Sequence, residues 1–129
     1  GAMLEELRAA TRDMRDDEAL AAIGSAVDEG LDLLQQGRDW LLANAGDDPH
    51  VPGTASFNFV MLAGCVFSGA LLAKAAAAAH AAGGTFGAEK LATAAFYCAH
   101  VLPRAHAYVR SMTADAAITM AIPAEAFGD

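Results

Sequence analysis

The amino-acid sequence predicts an all-α fold, a four-helix up-down bundle with one short and three long helices. Its 129 residues fit a single domain, because single cores commonly span about 50–200 residues. Alanine occurs 33 times and proline only 4 times, which favours helices because alanine has the highest helix propensity. A composition that is 55% hydrophobic and 19% charged excludes a disordered chain. Apolar residues also recur at steps of three and four, the helical spacing.

The first two predicted helices are amphipathic. The spacing of Leu4, Leu7 and Met14 predicts a short helix over about residues 3–15. Asp17 and its acidic neighbour supply an N-cap, so a second helix is predicted from about 17 to 45. The apolar seam of this second helix consists of Leu20, Ile23, Val27, Gly30, Leu34, Gly37 and Leu41.

Two glycines lie on that seam, at Gly30 and Gly37. Each costs about 0.8–1 kcal/mol relative to alanine inside a helix, so the pair predicts a close backbone approach by a neighbouring helix. A kink or break near Gly30 is the alternative interpretation. The turn residues between Asn44 and Pro49 end the helix.

The third predicted helix is the longest, from about Thr54 to Ala82. No charged residue lies between His50 and Lys74, and the 23 positions between them meet the length criterion for a membrane span. Polar residues interrupt this stretch and no basic residues flank its start, so we expect no membrane span. The pattern instead predicts a buried central helix, apolar nearly all round because other helices cover it on several sides.

The fourth predicted helix follows a turn at Gly83–Gly87 and ends near Met112. Pro103 lies inside it and is expected to bend the helix. A further turn of helix is possible from about 114 to 120, before Ile122 and Pro123 stop it. The seam of the fourth helix consists of Leu91, Ala95, Cys98, Leu102, Ala105, Val109 and Met112.

The chain is expected to hold one domain, over residues 4–129, after a remnant of an expression tag at residues 1–3. Glu5, Glu6 and Arg8 interrupt any apolar region at the start, so no signal peptide is expected. Cys65 and Cys98 lie far apart in apolar stretches, which is typical of a reducing, cytoplasmic compartment.

The net charge of −8 is unevenly distributed along the chain. Residues 1–48 hold twelve acidic and four basic residues, whereas residues 49–129 hold four of each. Without clustered lysine and arginine, nucleic acid and anionic membrane surfaces are disfavoured as partners.

No catalytic, cofactor-binding or metal-ligating residue can be assigned from the sequence. The four histidines, His50, His80, His100 and His106, lack the spacing of a helical zinc motif. Both cysteines are interpreted as packing residues, and most acidic residues as solvated helix surface. The glycine cluster at 83–87 is interpreted as a turn rather than a phosphate-binding loop, since it follows a helix and lacks the terminal lysine.

The aromatic residues of the second half are interpreted as core rather than as a ligand-binding box. They are Phe57, Phe59, Phe67, Phe86, Phe96 and Tyr97. Charge is nevertheless too scarce there for a free bundle, because residues 51–112 hold only five charged side chains. We therefore expect an apolar, alanine-rich patch on the outer surface of the third and fourth helices, covering another domain or subunit.

Three stretches resemble the C-terminal helical domain of long bacterial acyl-CoA dehydrogenases: Ala55–Lys74, Phe86–Pro103 and Ile122–Phe127. With the preceding helix, which ends in Asp39–Leu42, the resemblance covers about residues 17–127. It implies that the chain is the last domain of an FAD-dependent enzyme whose base and flavin contacts lie in the preceding catalytic domains. It also implies that the isolated chain is inactive and colourless.

These observations lead to the expectation of a non-catalytic accessory domain that packs on the catalytic body or at an oligomer interface. The expected partners are the catalytic domains of the same enzyme and further copies of the chain. A stand-alone helical module that binds a ligand or a partner helix is the alternative, and an independent enzyme is the third hypothesis.

Overall fold

The computed structural model describes residues 2–44 and 51–114, with the backbone alone over 51–54. The described residues form five α-helices and no strand, which confirms the all-α class. The helices are α1 (Ala2–Met14), α2 (Ala21–Asn44), α3 (Val51–Ala82), α4 (Gly84–His100) and α5 (Arg104–Met112). Ala2 and Met3, set aside as tag residues in the sequence analysis, are thus part of α1.

The long helix α3 organises the molecule, because it contacts α2, α4 and α5 along its length. The short helix α1 lies mainly on α2. Where α2 and α3 touch, Gly37 lies beside Leu62 and Gly30 beside Val66, so the two helices run in opposite directions.

The core forms where the apolar seams of these helices meet, and the α2 seam is confirmed. Six of its seven predicted members are buried, while Leu41 is only partly buried. Gly24 and Leu31, which lie outside the predicted seam, are also buried. The largest fully buried side chains are Leu31, Leu62, Met112, Val27, Val66 and Thr11.

The two seam glycines have a role different from the predicted one. A Cβ added to Gly37 would lie 2.7 Å from Leu62 Cδ2, and one added to Gly30 would lie 3.2 Å from Leu102 Cδ1. Side chains, not a neighbouring backbone, therefore fill the space above them. Helix α2 runs unbroken through both glycines, so the break near Gly30 is also wrong. The close backbone approaches lie at Gly24 and Gly87.

Helix α2 begins at Ala21, later than predicted, because Asp17 caps a preceding turn instead of the helix. The Asp17 side chain accepts a hydrogen bond from the Ala19 N–H at 2.9 Å. Its carbonyl accepts another from the Leu20 N–H at 3.0 Å. Both hydrogen bonds lie in the connection between α1 and α2, before the first residue of α2.

The predicted fourth helix is divided into α4 and α5. The N–H groups of Val101 and Leu102 both bond to the Tyr97 carbonyl, each at 2.9 Å, and α5 restarts after Pro103. Proline has ended the helix rather than bent it. The turn before α4 is shorter than predicted, because only Gly83, with a φ of 79°, separates α3 from α4.

The predicted seam is correct on α5 and only partly correct on α4. Ala105, Val109 and Met112 of α5 are buried, as is Leu102 in the break before it. On α4, Leu91 and Cys98 are partly buried, whereas Ala95 is exposed and its neighbour Ala94 is buried instead. The possible turn of helix at 114–120 lies outside the described residues beyond Ala114.

Candidate functional site

The most prominent surface feature is an uncharged face on the outer side of α3, away from the core. Phe57 is 69% exposed and Leu71 is 62% exposed. We call the row of exposed residues along this face the outer seam. Its members are Phe57, Met61, Gly64, Ser68, Leu71, Ala75, Ala78 and Ala82, all exposed. They recur in alternating steps of four and three, the spacing of a helix–helix seam.

The prediction that other helices cover α3 on several sides is correct for the side packed on α2, α4 and α5, but wrong for the outer side. The prediction of an exposed apolar patch is confirmed. The side of α3 that bears Leu62, Val66 and Ala73 is buried against the other helices, and the opposite side is open. By length and composition α3 is the one helix in the described part that could cross a membrane. A buried core helix passes the same test.

Exposed apolar side chains also occur on α4. Phe86 and Phe96 are exposed there, although the sequence analysis placed both in the core, as it did Phe57. The Lys90 ammonium lies 5.5 Å from the centre of the Phe86 ring. Phe59, Phe67 and Tyr97, in contrast, are partly buried against the core.

A groove of about 410 Å³ borders the outer seam between α3 and the α4–α5 break. Inside it the Tyr97 hydroxyl donates a hydrogen bond to the Cys65 carbonyl at 2.6 Å. Desolvation by burial, followed by the neighbouring Cys65 thiol, raises the pKa of Tyr97 to about 12. The lining residues are Val60, Met61, Gly64, Cys65, Tyr97, Val101, Arg104 and Tyr108.

Both thiols fit their interpretation as packing residues. Burial raises the pKa of Cys65, although Tyr97 and Arg104 act in the opposite direction. Burial also raises the pKa of Cys98. Thiolate is the reactive form of cysteine, so these surroundings disfavour nucleophilic chemistry at either position.

The histidines take separate positions. The His106 Nε2 atom lies 2.6 Å from a Glu29 oxygen, and His80 Nε2 lies 3.4 Å from an Asp17 oxygen. The His100 ring lies 4.7 Å from that of Phe96. Within residues 2–44 and 51–114, no group of three side chains is placed to hold a metal ion. The side chain of His50 lies outside the described residues.

The acidic first part of the chain, residues 1–48, forms a different surface, on α1 and α2. Arg8 contacts Asp28 at 3.2 Å and Asp32 at 2.9 Å, and Arg15 also pairs with Asp28. These ion pairs fasten α1 onto α2 on the side that bears most of the charge. Most of the charge thus lies on α1 and α2, whereas the outer side of α3 is uncharged.

The groove does not fit FAD, the cofactor that the resemblance implies for the parent enzyme. Its only charged lining residue is Arg104, whereas the pyrophosphate of a dinucleotide needs several donors or a glycine-rich helix N-terminus. The Tyr97 hydroxyl and the Cys65 carbonyl are already bonded to each other.

The described residues form an all-helical protein with an exposed apolar face on α3. A family model described as acetyl-CoA dehydrogenase C-terminal like matches residues 3–123, and the chain belongs to this family. The match covers the whole stretch of the predicted resemblance except its last few residues. Neither the curated proteins nor the solved structures contain a match to this chain.

Proposed function

We propose that this chain is a non-catalytic accessory domain of an FAD-dependent acyl-CoA dehydrogenase, arranged as an up-down bundle in the cytoplasm. In this role it packs through its uncharged face on the catalytic body or at an oligomer interface. The catalytic domains would hold FAD and carry out the oxidation, and this chain would hold neither cofactor nor substrate.

One observation carries the proposal, namely the exposed apolar face on α3 and α4 in a member of this family. Six large hydrophobic side chains are exposed on these two helices: Phe57, Val60, Met61, Leu71, Phe86 and Phe96. Monomeric soluble proteins rarely leave contiguous apolar patches of this kind uncovered, because each exposed apolar group forgoes the free energy of burial.

Mixing this chain with separately produced catalytic domains of a parent dehydrogenase tests the proposal. We expect a complex in a pull-down and in analytical ultracentrifugation, and no flavin absorbance in the chain alone. Leu71→Glu should weaken the complex, because it places a carboxylate on the apolar face. Leu42→Glu is the matched control, since Leu42 is also open to solvent but lies on α2, at 74% exposure against 62% for Leu71.

Turnover of acyl-CoA by the purified chain, with FAD and an electron acceptor supplied, would contradict the proposal. Absence of both a complex with the catalytic domains and self-association of the chain would contradict it as well.

The groove beside Tyr97 supports a second candidate, a stand-alone module that binds a small molecule. Its volume of about 410 Å³ lies within the range of ligand pockets, about 300–1,000 Å³. A small-molecule screen by thermal shift distinguishes the candidates. A ligand-dependent rise in Tm that Tyr97→Phe or Arg104→Ala abolishes would favour the module.

A further inference from the structure

The outer seam of α3 is complementary to itself. Laid antiparallel against a second copy, Phe57 faces Ala82, Met61 faces Ala78, Gly64 faces Ala75, and Ser68 faces Leu71. In an antiparallel pair of helices, facing residues have numbers with a constant sum. All four pairs share the same sum, so a single register brings all of them together. Every large side chain then meets a small one, which is how helix surfaces interdigitate.

Gly64 is the second observation. It lies in the middle of α3, and an added Cβ would meet no atom within 4 Å. Glycine weakens a helix relative to alanine, and no contact within the described chain explains its presence. A close approach by a helix from outside the chain does explain it, because small residues let two helix backbones come near each other.

We propose that the outer seam binds the outer seam of a second copy of this chain, in an antiparallel two-fold dimer. The inference rests on the proposed function as an interaction domain and names the partner of its α3 face. In a dimer with a two-fold axis, the same surface of both copies forms the contact, so that surface must be complementary to itself. Lys74, the one fully charged residue of α3, lies off the seam in a cleft beside Asp13, so no charge of α3 itself opposes the contact. Arg104 of α5 lies in the groove at the edge of the seam.

The size of the contact indicates a weak dimer. From Phe57 to Ala82 the seam is about 38 Å long, and helices about 10–12 Å wide give a footprint of roughly 400 Å² per copy. The total of roughly 800 Å² is below the ~1,200–2,000 Å² of stable interfaces. We therefore expect reversible association that grows with protein concentration. Attachment of two copies to one larger assembly would raise their effective concentration and favour the same contact.

Analytical ultracentrifugation of the chain across a concentration series tests the dimer. We expect the sedimentation coefficient to rise with concentration. Leu71→Glu should raise the dissociation constant at least about tenfold, because a carboxylate would be buried opposite Ser68. Leu42→Glu should leave the dissociation constant unchanged. Circular dichroism checks that each variant keeps its helices, and Ala75→Glu replaces Leu71→Glu if that variant unfolds.

A charge-swap experiment tests the antiparallel register. Gly64→Lys and Ala75→Glu should each weaken self-association, because each introduces an unpaired charge. A mixture of the two variants should recover dimers as heterodimers, detected by native mass spectrometry, because residue 64 of one copy faces residue 75 of the other. A parallel pair would place residue 64 opposite residue 64 and show no recovery.

A monomer at every concentration would overturn the inference, as would equal effects of Leu71→Glu and Leu42→Glu. If the chain stays monomeric but binds the catalytic domains through a contact that Leu71→Glu weakens, the second copy is the wrong partner and the proposed function stands. Binding to phosphatidylcholine vesicles with the same sensitivity would also overturn the inference, in favour of a lipid surface.

Discussion

Alanine substitutions at Gly87 and at Gly64, compared with each other, test how closely α4 packs on α3. An added Cβ at Gly87 would lie 2.6 Å from the Ala79 carbonyl oxygen and 3.3 Å from His80 Cα. Non-bonded carbon atoms prefer about 3.5–4.0 Å, so Gly87→Ala must push the two helices apart by roughly 1 Å. Both contacts are with backbone, which cannot turn aside as a side chain can.

Gly64→Ala and Gly87→Ala share one favourable contribution to the free energy of unfolding and differ in one unfavourable contribution to it. Both replace a helical glycine and gain about 0.8–1 kcal/mol of helix propensity. Only Gly87→Ala adds overpacking, at about 1–3 kcal/mol. The difference in unfolding free energy between the variants should therefore be about 1–3 kcal/mol, or roughly 4–12 °C in Tm for a domain of this size.

Thermal unfolding followed by circular dichroism, at a concentration where the chain is monomeric, measures this difference. We expect Gly64→Ala to unfold above the parent chain and Gly87→Ala to unfold below Gly64→Ala by the stated margin. Equal Tm values for the two variants would refute the close approach of α4 to the Ala79 carbonyl.

Three further predictions concern the core, the groove and the charged side. Leu31→Ala should lower the unfolding free energy by about 2–5 kcal/mol in urea titration, because Leu31 is 0% exposed, whereas Leu42→Ala should change it by less than about 0.5 kcal/mol. Burial raises the pKa of Tyr97 to about 12, so the unfolded chain loses the hydroxyl proton at a lower pH than the folded chain does. The free energy of unfolding should therefore fall as pH rises from about 10 to 12. Tyr97→Phe should flatten that decline and, by losing the Cys65 hydrogen bond, cost about 1 kcal/mol at neutral pH. Arg8→Ala should cost about 1 kcal/mol or less, an effect that molar salt reduces.

The helices that the sequence predicted best are those with one apolar side. In α1 and α2, charged residues occupy the other side, so the periodicity identifies the buried face and two of the three buried glycines of α2, Gly30 and Gly37. Helix α5 is similar, because Ala105, Val109 and Met112 alternate with polar residues and are buried as predicted. A single apolar side leaves only one way to pack.

The errors fall where local sequence is compatible with more than one tertiary arrangement. Pro103 permits either a bent helix or a break, and the bonds of Val101 and Leu102 to the Tyr97 carbonyl select the break. Asp17 caps a turn because α1 must reverse before α2 can pack on it. The exposed phenylalanines Phe57 and Phe96 were placed in the core because aromatic residues are usually buried.

The sequence alone determined the all-α class, the buried seam of α2, the charge difference between residues 1–48 and 49–129, and the shortage of charge on α3 and α4. Each follows from composition or periodicity, which act locally along the chain. Only the tertiary structure decided which side of α3 stays open, because a helix that is apolar nearly all round has no preferred side until its neighbours are placed. The outer seam became visible once α2, α4 and α5 had covered the opposite side.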